Sequence, residues 1–355
     1  MRLQPKTDRW YSGLLGPVAS LYQKAVQARR HAYETSRRPK KRLPRPVISV
    51  GNLTVGGTGK TPFVLYLCDK LSGWRHVAIL SRGYGRRNPR AYVTLPDARQ
   101  LDERAPLFFG DEPVMMAKHI ANASIHLGPN RWRTGRLALD RAPVDLFILD
   151  DGFQHVELHR DLDIVILNGQ EDPRRLGVLP AGMLREPAET LRRADIVVIS
   201  RCTPDGQHQI DLDWVRSLCP NAPIVLARYA IVGAFDLKTG NAVPLDDLRN
   251  HPLFAFCGIA EPTSFRDTLT EAGLKLVGHH CYGDHHYFRG RELHDIETEA
   301  VAAGAAGLIT TEKDAVRILP FRIRGLPIYR LDVKFVVLEG EERLWERIGD
   351  ALHGR

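Results

Sequence analysis

The sequence predicts an α/β protein: a parallel sheet covered by helices, with a second, smaller α/β unit joined to it by two extended crossings. Three observations predict this. A strand, a glycine-rich turn and a helix follow one another over residues 46–71. A second apolar strand over residues 144–151 ends in Asp150 and Asp151. Runs of buried-strand type then alternate with helical patterns to the end of the chain, as they do in parallel, helix-covered sheets.

In the first of these, Val47 to Val50 form the apolar run, and Gly56, Gly57 and Gly59 lead into Lys60, Thr61 and the helical pattern of Phe63 to Leu71. Glycines let backbone N–H groups converge on an anion, and a helix N-terminus adds partial positive charge. Thr54, Gly56, Gly57, Thr58, Gly59, Lys60 and Thr61 are therefore the expected nucleotide cradle, of P-loop kinase type. Lys60 is placed to reach the β/γ-phosphates, and the Thr61 hydroxyl to ligate Mg²⁺. Thr54 stands where the usual pattern has glycine.

Composition sets outer bounds. The chain has 355 residues, enough for two cores, and a net charge of +8 that favours a polyanionic partner. Five scattered cysteines with no C-x-x-C argue for a reducing compartment and against a disulfide frame. No stretch is apolar for long enough to span a membrane, and no cleavable signal is visible.

Upstream of the cradle, Leu14, Leu15, Val18, Leu21, Tyr22, Ala25 and Val26 share one helical face, with Trp10 just before them and Pro17 expected in the first turn. A basic run from Arg29 to Arg45 follows. This pattern fits an in-plane membrane anchor or a helix packed on the core with a solvated charge run behind it. The basic run lacks interleaved aromatics, so nucleic acid is disfavoured as a partner.

Downstream, His76–Leu80 reads as a strand that ends in Ser81-Arg82-Gly83-Tyr84-Gly85-Arg86, a turn suited to anion capture or to a basic surface. Asp111 precedes a helical pattern, where it can cap the helix or serve as a base in a cleft. Asp150 and Asp151 resemble a Walker-B element that holds Mg²⁺, and a continuing strand would aim them at opposite faces. Arg185 and Glu186 lie in a loop between two further strands, 162–167 and 194–200. The expected organisation is an N-terminal segment 1–43, a core 44–227, a smaller unit 228–337 and a closing helix 338–355. Crossings near 228–237 and 328–337 would form a hinge. His279 to His286 is rich in ligand-type residues, but the spacing fits no ordinary zinc site. One of its histidines can instead serve the phosphoryl-transfer site. Thr310 to Asp314 closes a strand, where it can cap the next helix or touch a nucleotide base.

Taken together, Gly56–Pro62, Ser81–Arg86, Gly110–Pro113, Asp150–His155, Leu184–Pro187, Phe256–Pro262, Asp284-His285 and Thr310–Ala315 resemble the tetraacyldisaccharide 4′-kinase family of lipid A synthesis. The resemblance implies phosphorylation, with ATP and Mg²⁺, of the 4′-hydroxyl of a tetraacylated glucosamine disaccharide 1-phosphate. It implies that Asp111 acts on that hydroxyl with support from His285, and that Asp150 and Asp151 serve Mg²⁺ and the phosphates. His286 competes with His285 for the supporting role. Arg82, Arg86 and Arg185 are candidates for the substrate 1-phosphate or the ATP phosphates. The resemblance also favours the anchor reading, and with it a monomer on the cytoplasmic face of the inner membrane. A P-loop kinase for a soluble anion and a GTPase-like switch are the competing readings.

Overall fold

The structure is a computed structural model that describes residues 9–120, 122–318 and 325–354, with side chains described from residue 15. Helix α1 (Arg9–Glu34) precedes β1 (Val47–Asn52), α2 (Lys60–Leu71), β2 (Val77–Ser81) and β3 (Val93–Thr94). Short α3 (Ala105–Phe109) runs through Gly110 into α4 (Asp111–His119), then β4 (Ala123–Leu127), α5 (Arg131–Leu139) and β5 (Leu146–Asp150). Next come β6 (Leu162–Asn168), β7 (Ile196–Ser200), α6 (Leu212–Leu218) and the long β8 (Ile224–Asp236). The chain continues through β9 (Ala242–Val243), α7 (Leu245–Arg249), β10 (Leu253–Cys257), α8 (Pro262–Glu271) and β11 (Leu276–Cys281). It ends with α9 (Gly290–Ala302), β12 (Gly307–Thr311), α10 (Glu312–Ala315), β13 (Ile328–Glu339) and α11 (Glu341–His353).

The thirteen strands among the described residues join one sheet in the order β11-β10-β12-β13-β8-β7-β6-β1-β5-β2-β4-β3, with β9 on β8. From β7 to β4 every pairing is parallel. Helices cover both faces there, which is why these strands are continuous Val/Ile/Leu runs rather than alternating ones. Strand β1 sits at the centre, and α2 carries the chain over β5 to β2. This reversal opens a crevice at the C-terminal ends of β1 and β5. Val50 stands level with Asp150 across that boundary, so topology alone brings the glycine loop beside the acidic strand end.

The two extended crossings are β8 and β13, paired antiparallel along most of their length. The start of β8 also pairs with β7, and the start of β13 pairs with β12. Each long strand therefore belongs to both halves of the sheet. Residues 224–228 and 231–237 read as two extended segments in sequence; the structure runs them together as one strand, Ile224–Asp236. Strand β4 and helix α5, which the sequence reading does not resolve, complete the far side of the core.

Helix α1 departs from expectation in two ways. Pro17 lies inside it, not in its first turn. A proline removes one helix hydrogen bond and crowds the preceding turn, which bends a helix without always ending it. The apolar face is also divided: Tyr22 reaches the Arg185 carbonyl, whereas Val18 and Leu21 are 51% and 69% exposed. Trp10 and Leu14 have side chains outside the described residues.

Helix α11 returns to the core, where Leu344 and Ile348 are buried in the cluster that contains Phe63 and Leu67 of α2. Trp345 donates to the Tyr66 hydroxyl, which donates to Glu341. Leu344→Ala should destabilise the protein by about 2–4 kcal/mol, against less than about 0.5 for exposed Arg343→Ala, in chemical denaturation.

A candidate active site at the crevice

The glycine loop is held from both sides. Gly56 and Gly59 have φ of 111° and 81°, and Gly59 stands at the N-terminus of α2. A Cβ on Gly59 would fall 1.3 Å from the Tyr229 hydroxyl, so any other residue there must push the Tyr229 side chain off the loop. Tyr229 and Ser200 both donate to the Thr58 carbonyl, at 3.1 and 3.0 Å, and Arg201 donates to the Gly57 carbonyl at 2.6 Å. With those carbonyls engaged from behind, the loop is stiff. The Thr58 hydroxyl is buried and has no protein partner. Ala260, in the turn after β10, lies 3.7 Å from a Cβ built on Gly56, so this turn covers the loop from the other half of the sheet. Thr54 opens the loop, where it bridges to Leu184 and receives a 3.4 Å hydrogen bond from Asn52.

Strand β5 stops at Asp150, and Asp151 turns out of it with φ 54°. The two carboxylates therefore occupy different surroundings. Asp151 pairs with Lys60 at 3.5 Å and Arg185 at 2.7 Å. Burial pushes its pKa up, but these two cations outweigh burial and hold it at about 2. Asp150 receives the Ser81 hydroxyl at 2.8 Å. Burial, then the nearby Glu112 and Asp151 carboxylates, push its pKa up. Thr61 is buried in the first turn of α2. Asp150, Asp151 and Thr61 carry hard oxygen donors of the kind Mg²⁺ takes, and a Mg²⁺ site needs few protein ligands beside phosphate and water. Among the described residues no group of three or more His, Cys, Asp or Glu converges as a metal site.

Asp111 is not a cap. Gly110 holds the N-cap position of α4 with φ 90°, and Asp111 is buried, 3% exposed as a residue. Its Oδ2 accepts from His285 Nδ1 at 2.9 Å and lies 2.7 Å from Arg317 Nη2. Burial raises its pKa; the His285 hydrogen bond and the Arg317 and Lys313 charges overcome that and hold it at about 2. An ionised carboxylate only accepts, so His285 carries its hydrogen on Nδ1. His285 itself has φ 60°, and its amide donates to the Gly258 carbonyl. Tyr84 stacks obliquely on its ring, centroids 5.0 Å apart.

His286 takes a different course. It lies between Tyr282 and Phe288 and pairs with Glu292 at 3.2 Å. His280 pairs with Glu299, so these three histidines each meet a separate carboxylate.

The arginines also separate. Arg86 is buried and donates to the carbonyls of Pro89 and Ala91, which ties a turn together. Arg185 holds Asp151, and Arg82 is exposed. Thr311 caps α10 by accepting from Asp314, and its neighbours reach the crevice. Lys313 bridges Glu112 at 2.9 Å and Asp284 at 3.4 Å. Arg317, whose side chain is 0% exposed, donates to the His286 carbonyl and meets Asp111. Sequence reasoning missed Arg317 and buried Arg131, and read Lys313 only within the Thr310–Asp314 stretch, as a helix cap or a base contact. Arg317 lies past the end of α10, its amide on the Asp314 carbonyl, outside any helical period that would tie it to Lys313 in the sequence.

The chain matches the family described as tetraacyldisaccharide-1-P 4′-kinase (LpxK) over residues 11–353. The tetraacyldisaccharide 4′-kinase of Geobacter sulfurreducens is 41% identical over 321 residues, covering 89% of this chain and 88% of that protein. Its counterpart in Bdellovibrio bacteriovorus is 36% identical over 306 residues, covering 86% and 88%. A crystal structure of LpxK from Aquifex aeolicus in complex with ATP superposes with a TM-score of 0.73 at 31% identity, covering 96% of this chain and 99% of that one. With a family match over nearly its whole length, and with relatives of this identity and coverage, the chain belongs to the tetraacyldisaccharide 4′-kinase family.

Proposed function

We propose that this chain transfers the γ-phosphoryl group of ATP to the 4′-hydroxyl of a tetraacylated glucosamine disaccharide 1-phosphate, using Lys60, Asp111 and His285. The observation that supports it best is the Asp111–His285 pair at the rim of the crevice that holds the glycine loop. Glu112, next to Asp111, lies within electrostatic reach of Asp150, which ties the pair to the phosphate end of the site. Phosphoryl transfer needs positioned oxygens and charge neutralisation more than covalent help.

Lys60 and the loop N–H groups bind the β/γ-phosphates. Asp150, Asp151 and the Thr61 hydroxyl would hold Mg²⁺, which would supply charge neutralisation at the phosphates. Lys60 and Arg185 pair with Asp151, whereas Asp150 accepts from the Ser81 hydroxyl. Asp111 accepts a hydrogen bond from the 4′-hydroxyl and aims its oxygen at the phosphorus. A carboxylate held at about 2 is a weak base, so the hydroxyl proton moves late, as the new P–O bond forms. His285 and Arg317 keep Asp111 ionised and fixed in place.

The exposed Val18 and Leu21 of α1, followed by the basic run, support in-plane attachment to the cytoplasmic face of the inner membrane, where the acceptor lies. No described helix is long and apolar enough to cross a membrane. Strands β8 and β13, shared by a core of residues 44–227 and a unit of residues 228–337, act as the hinge along which the crevice opens to ATP.

Incubation with γ-labelled ATP and the tetraacyl disaccharide 1-phosphate should yield a labelled glycolipid; free phosphate alone would favour a nucleotide switch. Lys60→Ala should lower kcat/KM by about 10² or more, and Gly59→Ala should weaken ATP binding while Gly57→Ala is tolerated. His285→Ala should lower kcat by about 10² or more, whereas His286→Ala should act mainly on thermal stability. Arg317→Met removes a cation that depresses the Asp111 pKa, so the Asp111 carboxylate, followed by ¹³C NMR, should titrate at higher pH than in the wild type, with partial return in Arg317→Lys. An Asp111 titration that stays in place while activity falls would make Arg317 a packing residue only.

A further inference from the structure

We propose that Cys257 and Cys281 are a redox-sensitive thiol pair that hydrogen peroxide closes into a disulfide, and that closure acts on His285. The two cysteines are register partners at the C-terminal ends of the parallel strands β10 and β11. Register partners point to the same face of a sheet. Neighbouring strands run about 4.8 Å apart, inside the roughly 4.4–6.8 Å between Cα atoms that a disulfide spans. The shared face lies under α8, where Cys257 packs with Ala255, Phe265 and Leu269. Both thiols are free; Cys257 is buried, whereas Cys281, on the edge strand of the sheet, is exposed.

Reactivity divides between them. A hydrogen bond with the Cys257 thiol, and then the nearby His280 and Arg266 charges, bring the Cys281 pKa down to about 7 against burial. The same contact, then burial, push Cys257 up. Cys281 is therefore the attacking thiolate and Cys257 the resolving thiol. Burial raises Cys68, Cys202 and Cys219, which keeps them inert. In the first step the Cys281 sulfur displaces hydroxide from peroxide and becomes a sulfenic acid. The Cys257 sulfur then attacks the Cys281 sulfur, the S–S bond forms, and the hydroxyl leaves as water with the Cys257 proton. Two thiols and one peroxide give one disulfide and two waters.

Gly258 couples the pair to the crevice. Its carbonyl accepts from the His285 amide and from Arg317. A Cβ on Gly258 would lie 2.9 Å from the His286 Cβ and 3.2 Å from the Gly283 carbonyl oxygen, so the turn is packed tightly against it. The Tyr282 amide donates to the Cys257 carbonyl at 2.8 Å. Drawing the two sulfurs together therefore shifts the turn that holds His285 at φ 60°. Only the effect on turnover rests on the functional reading above.

The test exposes the whole chain to hydrogen peroxide. Non-reducing peptide mapping should find the peptides of Cys257 and Cys281 joined, with the intact mass lower by two hydrogens and restored by dithiothreitol. The His285 ring signals should shift in NMR and return on reduction. Phosphoryl transfer should fall about tenfold or more and recover with dithiothreitol, while Cys281→Ser keeps its activity in peroxide. Cys257→Ala should instead gain oxygen on Cys281, for want of a resolving thiol. Wild-type Cys281 that stays unmodified, or takes up oxygen without a joined peptide, overturns the proposal. So does a joined peptide with unmoved His285 signals or unchanged turnover. Cys281→Ser replaces an exposed residue and keeps the test decisive if Cys257→Ala folds poorly. Mapping and ring signals need no turnover, so a chain without kinase activity would sink the functional reading alone.

Discussion

The Asp111 carboxylate is the group on which the rest of the site depends. It is buried, it sits at the first position of α4 in the core half of the sheet, and two of its partners, His285 and Arg317, come from the other half. An ionised carboxylate buried without partners costs several kcal/mol. The two halves must therefore meet for Asp111 to be both buried and charged. In the mechanism proposed above, this meeting of the two halves is what assembles the Asp111–His285 pair. Lys313, between Glu112 and Asp284, makes the same kind of joint one residue further along α4.

Backbone strain is stored around the same crevice. Four described non-glycine residues have positive φ: Ser36, Asp151, Arg201 and His285. Three of these touch the site, through Lys60, the Gly57 carbonyl and Asp111. Asparagine and aspartate tolerate this conformation; arginine and histidine adopt it at a cost of order 1–3 kcal/mol. The Gly258 carbonyl, which accepts from the His285 amide and from Arg317, helps to hold the histidine there. Its neighbour His286 follows the strained turn away from the crevice, which is why two adjacent histidines have unlike surroundings.

The sequence displayed the local signals well. The strand, glycine loop and helix at 46–71 lie where their pattern predicts, because glycine spacing and hydrophobic period are both short-range. Strand β10, strand β12 and helix α11 were legible for the same reason. The pairing of β8 with β13 was visible only as two extended stretches, since nothing local tells a strand its partner. Arg317 was hidden: an isolated arginine after a short helix carries no signal until the fold sets it 2.7 Å from a carboxylate 206 positions earlier in the chain. Arg86 failed in the opposite sense. Its glycine-flanked setting suggested a phosphate ligand, but the turn it belongs to has carbonyls to satisfy, and the guanidinium is buried on them. Pro17 misled because sequence rules place proline at helix starts, and α1 continues through it.

The account stands on Asp111 and His285 acting as one unit across the crevice. A double-mutant cycle on kcat/KM, with Asp111→Asn, His285→Ala and the combination, measures this directly. Strong coupling is expected, with the double variant little worse than Asp111→Asn alone, as for groups that share one task. Losses that simply multiply, giving a coupling energy near zero, would show that the two residues work separately and would contradict the account.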